Sequence, residues 1–291
     1  MKASKLTPYL YVLPAFLIVA TFMYAPVFMN LYYSGFQMSA FSSQPKFIGF
    51  ENYLSVFRDD VFYIALKNNA LFALVSVIMQ CGFGLVIAIF LESKLLGKSR
   101  TFYRTVYFVP SIISVSAAGM LWSFIYEPSV GLLNTWLKVI GQENLAIAWL
   151  GNSKTAMMAI IFMSQWQYVG YITILMVVAI QKIPAELYEA ASIDGATAVL
   201  KAWHITLPQV KEMLLVSVVI TTIGAFKVFT EVYVTTLGGP GQATQVLGTF
   251  LYSQGFINNK LGYASAIGIV AFLITFVLSI VQIKVTRSGN E

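Results

Sequence analysis

The sequence predicts an all-α integral membrane protein with about six transmembrane helices. Three observations carry that prediction. Of 291 residues, 58% are hydrophobic and 10% are charged, whereas soluble domains carry about 25% charge. Lipid-facing surfaces exclude charge and water-facing surfaces need it, so a soluble helical protein with a large core is a poor alternative. Apolar runs long enough to cross a hydrocarbon layer of about 30 Å recur near residues 9–33, 70–92, 106–126, 155–180, 213–236 and 262–284. These runs are continuous, without the alternation of a membrane β-strand. Backbone groups in lipid must pair internally, so the runs are helices.

The first run follows Lys2 and Lys5, as the core of a secretory leader would. It is too long for one, contains Pro14 and Pro26, and shows no small-x-small cleavage site. It is expected to stay as the first helix. Basic residues set the orientation. With the N-terminus inside, eleven fall on the inner side (Lys2, Lys5, Lys94, Lys98, Arg100, Arg104, Lys182, Lys201, Lys211, Lys284, Arg287) and six on the outer (Lys46, Arg58, Lys67, Lys138, Lys154, Lys260). Both termini are therefore expected in the cytoplasm, and the chain reads as a single multi-pass domain over residues 1–291. The net charge of +6 is topological on this reading, with no nucleic-acid partner.

Two outer segments carry helical patterns. Phe50, Tyr53, Leu54 and Phe57 form one. Leu133, Trp136, Leu137 and Ile140 form the other. Both read as short helices on the membrane surface, either packed at the interface or offered to an external partner. Residues 181–212 form a polar inner loop. Ala185 to Leu200 favours helix, Gly195 interrupts it, and Pro208 falls where the next helix must begin or bend.

Within that loop, Glu189-Ala190-Ala191, three residues, Gly195, nine residues and Ile205-Thr206-Leu207-Pro208 resemble the loop signature of binding-protein-dependent permeases of ATP-driven (ABC) importers. The likeness continues through Leu13-Pro14, Tyr24-Ala25-Pro26, Phe47-Ile48-Gly49-Phe50-Glu51-Asn52-Tyr53, Phe102-Tyr103-Arg104-Thr105 with Val109-Pro110, Trp122 before Gly131-Leu132-Leu133-Asn134, Thr236-Leu237-Gly238-Gly239-Pro240-Gly241 and Gly262-Tyr263-Ala264-Ser265-Ala266. The last two are similar to the sugar-uptake branch, the maltose- and glycerol-phosphate-type permeases. Leu237 stands where that branch often has a third glycine. The resemblance implies a type I importer permease fold in a bacterial or archaeal cytoplasmic (inner) membrane. It implies a second permease subunit, two ATPase subunits and an external solute-binding protein. It implies that the loop fits a cleft on the ATPase, through Glu189, Ala190, Ala191, Asp194, Gly195, Ile205, Leu207 and Pro208.

No ATP chemistry is expected on this chain. Gly97-Lys98-Ser99 imitates the end of a P-loop, but the glycine required five residues earlier is Glu92, so no backbone cradle for phosphate forms. ATP and magnesium would belong to the ATPase partners. With one cysteine (Cys81) and one histidine (His204), multi-cysteine and zinc-hydrolase sites are excluded. His204 reads as a loop residue and no cofactor is expected.

The solute would pass polar side chains inside an apolar bundle. Gln165-Trp166-Gln167-Tyr168 lies roughly at the midplane of the fourth span, and Tyr171 shares a face with Tyr168. These residues either border a solute pathway or bond helix to helix. Lys227 and Glu231, four apart in the fifth span, either border the pathway or pair with each other. Trp122 and Tyr126 fit an outer aromatic belt, and Gly82, Gly84 and Gly119 fit close helix packing. Lys227 as the lone interior cation favours a neutral oligosaccharide over a phosphorylated solute. The competing classes are an ion-gradient-driven secondary transporter, which would need midplane acids and leave the loop unexplained, and a membrane receptor or scaffold.

Overall fold

A computed structural model describes residues 7–39 and 44–288; Lys2 and Lys5 lie outside them. Among the described residues, five helices are long and apolar enough to cross a membrane: Tyr9–Ser34, Asp60–Glu92, Ala156–Ile180, Ala198–Phe226 and Leu261–Lys284. A sixth crossing exists if the bent pair Leu96–Ile112 and Val115–Ile125 is one span. The two outer amphipathic segments are helices, Glu51–Val56 and Leu132–Val139. Beside the latter, Glu127 accepts from the Val130 N–H and the Ser129 hydroxyl. These bonds hold its exposed carboxyl below the usual range.

Three expected spans change shape. The second begins at Asp60 rather than near residue 70. The third is broken by 98°. Pro110 lacks the N–H that a straight helix would use, and the turn Val109–Ile112 gives way to extended backbone at Ile113. The fifth begins at Ala198 and stops at Phe226 rather than running over 213–236. Pro208 neither starts nor ends it. The ring of a proline meets the carbonyl four residues back, here that of His204. The chain widens to a π-turn over Ala202–Thr206 and the helix continues. Pro26 is met the same way, by a π-turn at Ala20–Tyr24.

The chain separates into two compact units. The first holds Met1–Phe62 and Phe250–Ile274. In it, two short antiparallel strands pair Phe36 with Phe47 and Gln37 with Lys46. Asn52 donates to the carbonyls of Ser34 and Phe36 at 2.8 and 3.0 Å. Tyr53 and Ser34 hydroxyls meet at 2.6 Å, and Tyr263 donates to Asp59 at 2.9 Å. Gly262 lies directly against the Phe36 carbonyl, where a Cβ has no room.

The second unit holds Tyr63–Thr249 and Thr275–Glu291. Its apolar core joins Cys81, Leu85, Ala88 and Leu91 to Ile172, Met176, Val177 and Val210. Ala156–Ile180 is its axis. Gly84 packs on the Thr173 hydroxyl and Gly119 on Val234, as close-packing residues should, whereas Gly82 faces open space. Gly170 is the tightest point, seated on the Tyr107 carbonyl.

The loop after the fifth helix is tied internally. Thr244 bridges to the Thr236 hydroxyl at 2.8 Å and the Gly239 carbonyl at 2.6 Å. Leu237 holds φ +55° there and Gly238 φ +91°. The left-handed region costs a non-glycine residue about 1–2 kcal/mol, whereas glycine bears no such strain but loses more backbone freedom on folding. Leu237→Gly should leave thermal stability within about 1 kcal/mol, whereas Leu237→Val, β-branched, should lower it by more. Thermal unfolding of the two variants side by side checks the ordering.

Candidate functional site: a membrane cavity and a helical loop

Within the second unit lies a cavity of about 410 Å³. It opens where two helices break. Ser111, next to the kink at 113–114, borders it from one side. Gly224, Val228 and Glu231 border it from the other, across the end of Ala198–Phe226. Irregular backbone at membrane depth is tolerated where it is buried or lines a cavity, and the freed groups here are satisfied. Gln167 donates to the Ile113 carbonyl at 2.8 Å, and Ser111 to Phe108 at 2.7 Å. Asn69 donates to the Ala225 carbonyl at 2.7 Å and accepts from the Leu247 N–H at 2.8 Å. Asn68 holds the carbonyls of Ala243 and Gln245 at 2.9 and 2.8 Å.

The cavity wall gathers Tyr168, Tyr171 and Glu231 with Ser76, Gln80, Ser164 and Thr221. Three of the expected pathway residues are therefore brought together. The others are not. Gln165 is spent on helix-to-helix bonds: it donates to Ser76 at 3.1 Å and to the Ile161 carbonyl at 2.9 Å, and it accepts from Gln80 at 2.9 Å. Trp166 stacks edge-on with Trp122 at 5.7 Å. Trp122 also meets Tyr126 at 5.2 Å, so an aromatic cluster forms rather than a cavity wall. Lys227 and Glu231 do not share a helix. Lys227 closes Ala198–Phe226 and is exposed, while Glu231 begins the short helix Thr230–Thr235 and is buried. Among the described residues no ion pair joins them, and Lys227 does not line the cavity.

The loop is the second feature. Its first helix, Ala185–Ile193, ends in a Schellman turn. The Gly195 N–H reaches the Ser192 carbonyl at 3.2 Å and the Ala196 N–H reaches Ala191 at 2.8 Å, with Gly195 at φ +75°. Tyr188 ties this helix to Thr206 at 2.9 Å, and Lys201 donates to Ser192 at 2.7 Å. Glu189, Ala190 and Asp194 stand exposed, with Ala191 half-buried. Around them Ile193, Val199 and Trp203 are 87%, 66% and 64% exposed. Ile205 and Leu207 are half-buried, Leu207 against the core, and Pro208 is exposed. His204 Nδ1 donates locally to the Leu200 carbonyl, 3.1 Å away.

The lining groups Ser76, Gln80, Ser111, Ser164 and Thr221, and the clamps Asn68 and Asn69, are functional positions that the sequence reading does not name, whereas Gln167, named there with Gln165, takes the helix-bonding role. Each is a polar side chain inside an apolar run, which is the signal that marks such positions. The exposed apolar trio on the loop carried no such signal.

The family model "Binding-protein-dependent transport system inner membrane component" matches residues 62–287. The probable ABC transporter permease protein YurN of Bacillus subtilis (strain 168) is 50% identical, over 100% of this chain and 99% of its own length. The diacetylchitobiose uptake system permease protein NgcF of Streptomyces coelicolor is 33% identical, over 94% of this chain and 81% of its own. A crystal structure of a bacterial ABC transporter that imports the acidic polysaccharide alginate superposes with a TM-score of 0.86 at 23% identity, over 98% of this chain and 96% of that one; it matches the fold.

Proposed function

Because the chain belongs to the family of binding-protein-dependent transport system inner membrane components, we propose that the cargo it passes is a neutral oligosaccharide, moved by alternating access at the cavity of Tyr168, Tyr171 and Glu231. The composition of that wall carries the reading. Two tyrosine faces suit the apolar faces of sugar rings, and hydroxyls and amides suit their hydroxyl groups. The lining holds a carboxyl and, among the described residues, no lysine or arginine. An anionic solute would meet the carboxyl without a compensating cation. The relative named for diacetylchitobiose uptake agrees with a carbohydrate cargo.

The same reading places both termini and the loop of residues 181–212 in the cytoplasm. ATP and magnesium bind two partner ATPases, which grip the loop through Glu189, Ala190, Ala191, Asp194, Gly195 and their exposed apolar neighbours. A second permease subunit completes the pathway, an external solute-binding protein delivers the cargo, and lipid covers the remaining apolar faces.

Uptake into proteoliposomes carrying the assembled transporter, with neutral, anionic and cationic glycans supplied in turn, tests the cargo. ATP-dependent uptake of neutral glycans alone is expected; preference for an anionic glycan would reject it. Glu189→Lys, a charge reversal on an exposed helix, should leave the chain's abundance unchanged. It should lower both ATPase co-purification and uptake at least about tenfold, as loss of a 1.4 kcal/mol interfacial contact does. Normal co-purification and transport in that variant would sink the loop assignment.

A further inference from the structure

We propose that Glu92 is a positioning residue for transport, holding a clamp that links the loop of residues 181–212 to the wall of the cavity. The proposal rests on the reading of that loop as the ATPase contact. Glu92 ends the helix Gly84–Glu92, and its side chain is 11% exposed. Its carboxylate holds Arg104 and, at 3.4 Å, Arg100. Arg100 also donates to the Glu92 and Ser93 carbonyls at 3.1 and 3.2 Å. It thereby caps helix carbonyls that have no partner within the helix. A carboxylate at a helix C-terminus is unfavourable alone, so the two guanidinium groups are what make Glu92 tolerable there.

The clamp reaches the loop through a fourth group. With its amide turned so that the oxygen faces the guanidinium, Gln181 accepts from Arg104 at 2.7 and 3.2 Å. Gln181 closes Ala156–Ile180 and opens the chain into Ala185–Ile193. At the other end, Arg104 sits in Arg100–Phe108, which continues through Val109–Ile112. Seven residues on from Arg104, about 10 Å along a helix, Ser111 lines the cavity. The intervening stretch cannot slip freely, because Gly170 seats the Tyr107 carbonyl and Gln167 holds that of Ile113. One rod therefore has its near end tied to the root of the loop and its far end in the cavity wall. Displacement of the loop is delivered to the cavity through Arg104, and Glu92 fixes where Arg104 stands.

The test compares solute transported with ATP hydrolysed, in the full transporter reconstituted with its ATPase and binding-protein partners. Glu92→Gln keeps the shape and removes the charge. Gln181→Leu, on an exposed side chain, cuts the link to the loop and leaves the ion pairs intact. In both, ATPase co-purification and hydrolysis should persist while solute moved per ATP falls by about tenfold, within the range coupling mutations produce. Glu92→Asp should recover part of the ratio. An unchanged ratio in Gln181→Leu, or uptake and hydrolysis falling in proportion in both variants, overturns the clamp. If Glu92→Gln lowers assembly, Gln181→Leu decides alone. Failure of the wild-type chain to bind an ATPase or to show ATP-dependent uptake would instead reject the loop reading beneath it.

Discussion

Gly170→Ala should unfold the second unit's packing at a far lower temperature than wild type, with a loss on the order of 3 kcal/mol. A Cβ at this position would stand on the Tyr107 carbonyl. The obstacle is backbone against backbone, so no side-chain rotation relieves it. The helix Arg100–Phe108 must lift from Ala156–Ile180, and the bond from Gln167 to Ile113 lengthens with it. Gly224→Ala is the matched control. It lies in a helix with nothing within 4 Å of the added carbon, so helix propensity alone should act and stabilise by about 0.5–1 kcal/mol. Thermal unfolding of the purified full chain in detergent compares the two. Equal melting temperatures would show that the helix pair is not seated on this glycine.

Asn69→Ala should be the second large loss. Asn69 is fully buried and satisfies two groups that helix ends leave bare: a terminal carbonyl of Ala198–Phe226 and the first N–H of Leu247–Tyr252. Hydrogen bonds inside membrane proteins are each worth about 0.6–2 kcal/mol, so about 1–4 kcal/mol is expected for the pair. Asn69→Asp is the sharper variant. It keeps the acceptor for Leu247 but turns an oxygen toward the Ala225 carbonyl, and it buries a charge. It should be less stable than Asn69→Ala, because an unpaired buried charge costs more than a missing bond. The opposite order, read from melting temperatures, would mean that the Leu247 bond dominates.

The contrast between these residues shows what the sequence made legible. Spans were visible because run length is a local property: about 20 apolar residues cross a bilayer wherever they occur. The turn at Gly195 was visible for a similar reason, since a glycine after a helical stretch ends it through its own backbone. The break at 227–229 was not visible. Phe226-Lys227-Val228-Phe229 contains no glycine or proline, and the helix ends there with Asn69, far away in sequence, taking the Ala225 carbonyl. Hence Lys227 and Glu231, four apart in number, were expected on one face and are not. Pro110 announced a disturbance in the third span, but its 98° angle depends on Gln167 and Gly170 from another helix. Tyr168 and Tyr171 share a cavity-lining face, as their helical spacing implies, whereas Gln165 on the same helix bonds to Ser76 and Gln80. Spacing fixes the face of a helix but not which neighbour arrives there.

The Schellman turn after Ala185–Ile193 has a consequence for how this surface changes over generations. Its shape is written in two main-chain hydrogen bonds and the left-handed glycine at 195. The exposed side chains of Glu189, Ile193, Asp194, Val199 and Trp203 take no part in those two bonds. If the loop is the ATPase contact, substitutions at Ile193, Val199 and Trp203 would alter the face it offers while the curve that presents that face stays the same. Shape and lettering are separable here: the main-chain bonds set the turn, and the side chains set what its outer face can bind.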